Sequence, residues 1–464
     1  MKRLASHFTV LVCLLAVPAS ASAQAEQCVG DFPGAAPVAP SKAPALRFGT
    51  YPGGPAGQIG PVGAAAKPDD RDRIRDSLAK LHGGRGPFVV HLYANYFANP
   101  AAENPRLDEF ERELAYYSGL GYEVEIVLRY RPDDGAQDPV AGYEQFLRRF
   151  VRRFGGSAAL TGLQATNEVN ITFSKDTSDG AYTGARDAVI KGVIAAKDEA
   201  RALGYTGLEV GFNWAYRTDP PSEKTFWEHL RDNGGPKFIS SVDYVGLDAY
   251  PGTIFPPQTT DSTGRSAMYN AMDVLRDCFM PLAKLGDKIP IHVGENGWPT
   301  GPGRSPEEQA TRLEGMVRAI HDWRGKFNVT DHRWFTLRDA DSSSPNFQQQ
   351  YGLLRDDYSE KRAFGTYRTL VAALGRTTAV TRPPPATPVL KLRVRCSRGS
   401  RLVTLLGATT AVRSVQFRLG RKRVTDGRRP FKKRLRGRGT RIRAVARLTD
   451  GRTAVVTRRI RRCR

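Results

Sequence analysis

The chain has 464 residues, five cysteines and a formal charge of +23, a length that allows two domains and a large core. No segment is long and apolar enough to span a bilayer as a helix, no CxxC or HExxH spacing offers a zinc site, and no P-loop or dinucleotide fingerprint is present. The charge is uneven: from Lys391 to Arg464 there are 26 Lys and Arg against two acids, Asp426 and Asp450, a net +24 that leaves the rest of the chain close to neutral.

In chain order, residues 1–23 read as an export signal. Lys2 and Arg3 form the basic start, 8–17 the apolar stretch and Ala21-Ser22-Ala23 a small-residue cleavage site, so the expected location is secreted. Residues 24–42 form an N-terminal segment. Without the signal, Cys28, Cys278, Cys396 and Cys463 remain. An even count in an oxidising compartment predicts two disulfides. Cys396 and Cys463 bracket the last segment and pair naturally, which leaves Cys28 for Cys278.

Between residues 43 and 376 one pattern recurs eight times, a β-rich run, a loop and an amphipathic helix. The predicted strands are 46–51, 88–93, 123–129, 162–167, 208–214, 244–250, 289–294 and 333–338. The predicted helices are 69–81, 107–118, 141–154, 184–203, 222–232, 268–285, 306–327 and 361–374. Ser305-Pro306-Glu307-Glu308 supplies a capping Ser, a first-turn Pro and two acids that suit the helix dipole. Eight such pairs predict an α/β fold, a (β/α)8 TIM barrel. A doubly wound sheet would carry a Gly-rich phosphate loop after its first strand, and residues 51–57 lack that spacing.

Residues 377–389 form a Pro-rich linker, extended and semi-rigid. Residues 390–464 alternate apolar and basic positions in short runs divided by Asp-Gly turns, which predicts an all-β sandwich similar to the immunoglobulin-like modules appended to secreted bacterial proteins. Its Arg-rich face suits polyanions such as anionic cell-wall polymers, lipid headgroups or nucleic acid, or serves as a solvated spacer surface. Nucleic acid is a poor fit, since no recognition motif accompanies the charge.

Active sites of such barrels lie at the C-terminal ends of the strands. Strand four ends on Asn167-Glu168 and strand seven on Glu295-Asn296-Gly297-Trp298-Pro299. Two carboxylates facing one cleft suit glycoside hydrolysis, where one acid protonates the leaving oxygen and the other attacks or activates water. Aromatic side chains cover the flat faces of sugar rings, and Trp214, Trp298, Trp334 and Tyr250 all fall at predicted strand ends. Asp248 is a further candidate for the cleft, as are Arg129, His91 and His332, although the histidines fit a satisfied core equally well. Asp339-Ala340-Asp341-Ser342 reads as a solvated loop rather than a metal site. No GxSxG motif supports a serine hydrolase.

The Asn-Glu of strand four with the second Glu of strand seven resembles the clan-A retaining glycoside hydrolases. The Glu-Asn-Gly-Trp-Pro run is similar to the Glu-(Thr/Ser)-Gly-Trp-Pro run of β-1,3-glucanase-like families, and residues 351–357 with 361–364 look like the last loop and helix of many clan members. The resemblance implies that Glu168 is the acid/base, Glu295 the nucleophile and Asn167 a partner of the sugar 2-OH. It also implies that Tyr250 donates to Glu295, that Trp334 floors the cleaved sugar, and that Trp298 and Trp214 bind substrate. It implies a β-linked glycan substrate and no cofactor. Asn296 departs from the pattern, and His91 and Asn95 stand where many members carry an Arg. The contrasting reading is a catalytically silent glycan-binding protein.

Overall fold

Eight parallel strands close on themselves in chain order: β1 (Arg47–Thr50), β2 (Phe88–Tyr96), β3 (Glu123–Tyr130), β4 (Leu160–Ala165), β5 (Glu209–Ala215), β6 (Tyr244–Ala249), β7 (Ile291–Asn296) and β8 (Val329–Trp334). β8 pairs back onto β1 with Thr50 beside Trp334. The predicted (β/α)8 barrel is therefore the fold. The computed structural model describes residues 33–34, 43–54, 63–96, 100–217, 220–377, 390–397, 400–407, 409, 412–437, 439–448 and 453–460. The export signal, Cys28, Cys463 and most of the linker lie outside the described residues. Among the described residues, no helix is long and apolar enough to cross a membrane.

The helices are α1 (Arg71–His82), α2 (Pro100–Gly119), α3 (Pro139–Phe154), α4 (Ala185–Leu203), α5 (Pro220–Ile239), α6 (Arg265–Asp273), α7 (Pro306–Phe327) and α8 (Arg362–Leu374). Their starts follow local chemistry. Asp70 caps α1 by accepting from the backbone N–H groups of Asp72 and Arg73, and Ser305 caps α7 by accepting from the Glu308 N–H at 3.1 Å. The predicted helix 268–285 is divided, because α6 passes into a π-helical turn at Val274–Phe279 before Met280–Leu282.

Strand alternation separates two environments. One side of each strand carries Phe48, Val90, Leu163, Phe212, Leu247 or Val293, which pack with the helices in one apolar core. The other side points into the barrel and is largely polar. Arg47 meets Asp331 at 2.6 Å, and Arg333 meets both Asp331 at 2.6 Å and Glu125 at 3.0 Å, all of them buried. Gly49 is what lets Arg333 lie there, since a Cβ at Gly49 would sit 2.6 Å from the Arg333 Cδ. This inner charge explains why β8 was expected at 333–338. Thr330, Asp331, His332 and Arg333 give it no apolar run to read.

The C-terminal residues form two antiparallel sheets, as expected for a sandwich. One orders β13 (Lys432–Leu435), β10 (Ser400–Gly407) and β9 (Leu390–Ser397). The other orders β12 (Lys422–Asp426), β11 (Val412–Leu419), β14 (Arg441–Leu448) and β15 (Thr453–Arg459). Val403, Val415, Phe417, Ile442 and Ala444 pack between them as a separate core.

Candidate active site

Two local distortions at the mouth of the barrel aim the carboxylates. β6 and β7 run in register to Leu247 and Val293, then slip so that Asp248 pairs with Glu295. The extra residue is Gly294. By strict alternation Glu295 would share the outer side with Val293. The bulge turns it inward, as bulges beside active sites commonly do. At the end of β4, Thr166 and Glu168 both adopt left-handed backbone, with φ of 66° and 47°, an unusual conformation for residues with side chains.

The loop after β4 is pinned by Asp179, which is fully buried. Its carboxylate accepts from Arg129 Nε at 2.9 Å and from the backbone N–H groups of Tyr130 and Asn167 at 2.8 Å each. Its neighbour Ser178 is thereby placed to donate its hydroxyl to Glu168 Oε2 at 2.7 Å. From β5, Asn213 accepts from the Glu168 backbone N–H at 2.8 Å. Asn213 Nδ2 donates to Asn167 Oδ1 at 3.1 Å and also to Asp248.

The two glutamates face each other across a cleft. Oxygens of Glu168, Asp248 and Glu295 all lie within 4.8 Å of one another. Glu295 is held by two phenols, Tyr93 donating to Oε1 and Tyr250 to Oε2. Burial, reinforced by the charge of Glu295, pushes both hydroxyls well above the usual phenol range, so both keep their protons. Burial and then the Glu295 charge push Glu168 up to about 8, against the smaller opposing effects of Ser178 and Arg129. Burial, then Glu295 and Glu168, also hold Asp248 well above the usual carboxylate range. One acid ready to give a proton thus faces a carboxylate gripped by two donors.

Three converging carboxyl groups are also a spacing that a divalent cation can bridge. The donors around them compete with that use. Both Glu295 oxygens already accept from phenols, and Asp248 accepts from Asn213.

The cleft encloses about 780 Å³, its open mouth included, and is lined by Asn167, Glu168, Asp248, Tyr250, Glu295 and a set of aromatic and apolar residues. Four of the expected site residues, Glu168, Glu295, Asn167 and Tyr250, thus come together there. The three tryptophans do not. Trp214 is fully buried on the outer side of β5, donates to Glu223 and stacks edge-on against Trp227 and Phe279. Trp334 is fully buried on the outer side of β8, donates to the Tyr351 carbonyl at 3.1 Å and lies beside Tyr367. Each shares the parity of the helix-facing residues of its strand. Trp298 is buried in the turn after β7, beneath Arg304 and Arg312. The aromatic lining comes instead from Phe335, one residue past Trp334, with Tyr351, Tyr216, Phe255 and Phe173, the last two-thirds exposed at the rim.

The remaining candidates also find their places. Arg129 is buried on Asp179 and lies outside the cleft lining. His91 lies beside Glu125 in the barrel interior, and His332 lies between Tyr367 and Asn296. Asp339 is not solvated as expected: it is buried, accepts from Lys361 at 2.7 Å and receives the Gly352 N–H. Sequence reasoning missed Tyr93, Ser178, Phe173 and Phe335. Tyr93 could have been found from alternation, since it lies two residues after His91 on the inward side of β2.

Neither a protein-family model nor a curated protein matches the chain. Solved structures do resemble it. A GH5_18 protein from Streptomyces cattleya in complex with GlcNAc superposes with a TM-score of 0.52 at 19% identity, covering 74% of this chain and 83% of that one. A GH5_18 variant from Bifidobacterium longum subsp. longum in complex with Manb1-4GlcNAc gives 0.51 at 16% identity, covering 74% and 80%. At such identities the likeness is one of fold.

Proposed function

We propose that this protein is a retaining glycoside hydrolase acting on a β-linked glycan, with Glu168 as acid/base and Glu295 as nucleophile. The observation that carries the reading is the pair itself. Oxygens of two carboxyl groups from opposite sides of the barrel lie within 4.8 Å, one enriched in its protonated form and the other held by two phenols. Retaining enzymes space these groups at about 5 Å, whereas inverting enzymes leave room for a water at roughly 6.5–9.5 Å. The solved structures that share the fold include GH5_18 proteins, one bound to a disaccharide, which is consistent with a sugar in this cleft.

In this mechanism a Glu295 oxygen attacks the anomeric carbon while the bond to the leaving oxygen breaks and Glu168 gives that oxygen its proton. Water then loses a proton to Glu168 and attacks the same carbon, freeing Glu295. With Glu295 glycosylated, its negative charge is gone and Glu168 holds its own proton less tightly, so it is left ionised and able to act as base. Asn167, held by Gln164 and Asn213, stands beside Glu168 where it can meet the sugar 2-OH. Phe335 takes the floor position expected of Trp334. The basic start and small-residue cleavage site of residues 1–23 support export.

The test is hydrolysis of β-linked glycans and aryl β-glycosides by wild type and Glu295→Gln, with product anomers followed by NMR. Turnover with retained configuration, lost in the variant, supports the reading. Inverted configuration, or glycan binding without turnover in either protein, would sink it.

A further inference from the structure

The C-terminal module carries an arrangement that its own stability does not call for. Register across the four-stranded sheet sets Arg418 of β11 directly opposite Arg423 of β12 and opposite Arg443 of β14. In the next row Arg441 of β14 stands opposite Arg459 of β15. Their alternation with buried Phe417, Leu419, Ile442 and Ala444 places all five on the outer face. Opposed side chains on paired strands sit about 5 Å apart, and like charges there are destabilising. None of the five makes an ion pair among the described residues, and the one described acid of the module, Asp426, faces the interior, accepting from Lys432 N–H and Lys433. The other sheet avoids such opposition: neutral Thr404 separates Arg393 from Lys432, and Leu402 separates Arg395 from Arg434.

We propose that this arginine track is a binding site for a linear phosphodiester-linked polyol polymer of the kind that decorates cell envelopes. Guanidinium groups bind phosphate through a planar fork, and all five positions are Arg rather than Lys. On one flank it is bounded by an uncharged row, Thr425, Gln416, Val445 and Val455, which gives the track an edge that a broad face for a bilayer would not need. Among the described residues no aromatic side chain lies on that face to stack a base, as single-strand nucleic acid binders use. The inference rests on the module alone and not on the reading of the barrel.

The experiment measures binding of the full mature chain to poly(glycerol phosphate) by calorimetry across a salt series, with no substrate present. Three variants are compared: Arg418→Ser/Arg423→Ser/Arg443→Ser, the same three positions changed to Lys, and a charge-matched control, Lys391→Ser/Arg393→Ser/Arg395→Ser, on the opposite sheet. Expected are at least a tenfold greater loss of affinity in the track variant than in the control, an intermediate loss in the Lys variant, and a thermal midpoint in the track variant no lower than wild type. Equal losses in track and control would reduce the site to diffuse charge and overturn it. Absence of binding at low salt, or tighter binding of a single-stranded oligonucleotide or of anionic vesicles, would overturn the assigned partner.

Discussion

At the scale of single residues, the protonation of Glu168 has two consequences of known sign. In the proposed role of general acid it must hold a proton, so kcat/KM is expected to fall as pH rises through about 8. Glu168→Gln should remove that limb while sparing most of the glycosylation of an aryl glycoside whose leaving group needs no proton. The same raised value bears on folding. A carboxyl whose folded pKa lies above its unfolded one contributes stability that is complete below the unfolded value and lost as pH rises through the folded one. Thermal midpoints of wild type between about pH 5 and about pH 9 should decline more than those of Glu168→Gln; parallel curves would contradict the assignment. The aromatic residues give a second contrast. Phe335→Ala should weaken substrate use, seen as a raised KM or lowered turnover of the folded protein, beside whatever stability its own burial costs. Trp334→Ala should instead cost stability of about 3–5 kcal/mol, as expected for emptying a fully buried site, measured by denaturant unfolding.

At the scale of elements, the barrel strands have two characters. Their outer sides are apolar and their inner sides carry Arg47, Glu125, Asp331 and Arg333 in one buried network. Removing one member leaves a buried charge short of its counter-ion. Arg333→Met is therefore expected to destabilise by about 3–5 kcal/mol through Glu125, which loses its guanidinium partner while Asp331 keeps Arg47, read from chemical denaturation at neutral pH. This two-sided character also explains what the sequence conveyed. Seven strands were legible because their outer residues are apolar. β8 was placed four residues late because Asp331 and Arg333 disguise it. Trp214 and Trp334 stand at strand ends but on the wrong parity for the cleft, since Trp214 follows Val210 and Phe212 on the helix-facing side. Glu295 runs the other way, since parity alone would have sent it outward and the Gly294 bulge brings it in.

At the scale of the whole molecule, the near-neutral barrel and the strongly basic sandwich are distinct cores, and their proposed tasks are separable. Deleting residues 377–464 is expected to leave hydrolysis of a small soluble glycoside within about twofold of wild type, a change under about 0.5 kcal/mol in the barrier, while abolishing retention on an anionic polymer. A loss of soluble-substrate activity with the barrel still folded by circular dichroism would show that the two parts work as one.

The sequence by itself determined the eightfold β/α repeat, the two glutamates, Asn167, Tyr250 and the division between neutral and basic halves, because periodicity, strand-end position and charge are local properties of the chain. Only the tertiary structure decided that Tyr93 grips Glu295, that Ser178 reaches Glu168 through a loop pinned by Asp179, that Phe335 lines the cleft in place of Trp334, and that three arginines meet across three strands. Those relations depend on strand register and on a single-residue bulge, which arise from pairing between segments far apart in the chain and leave no mark in any one of them.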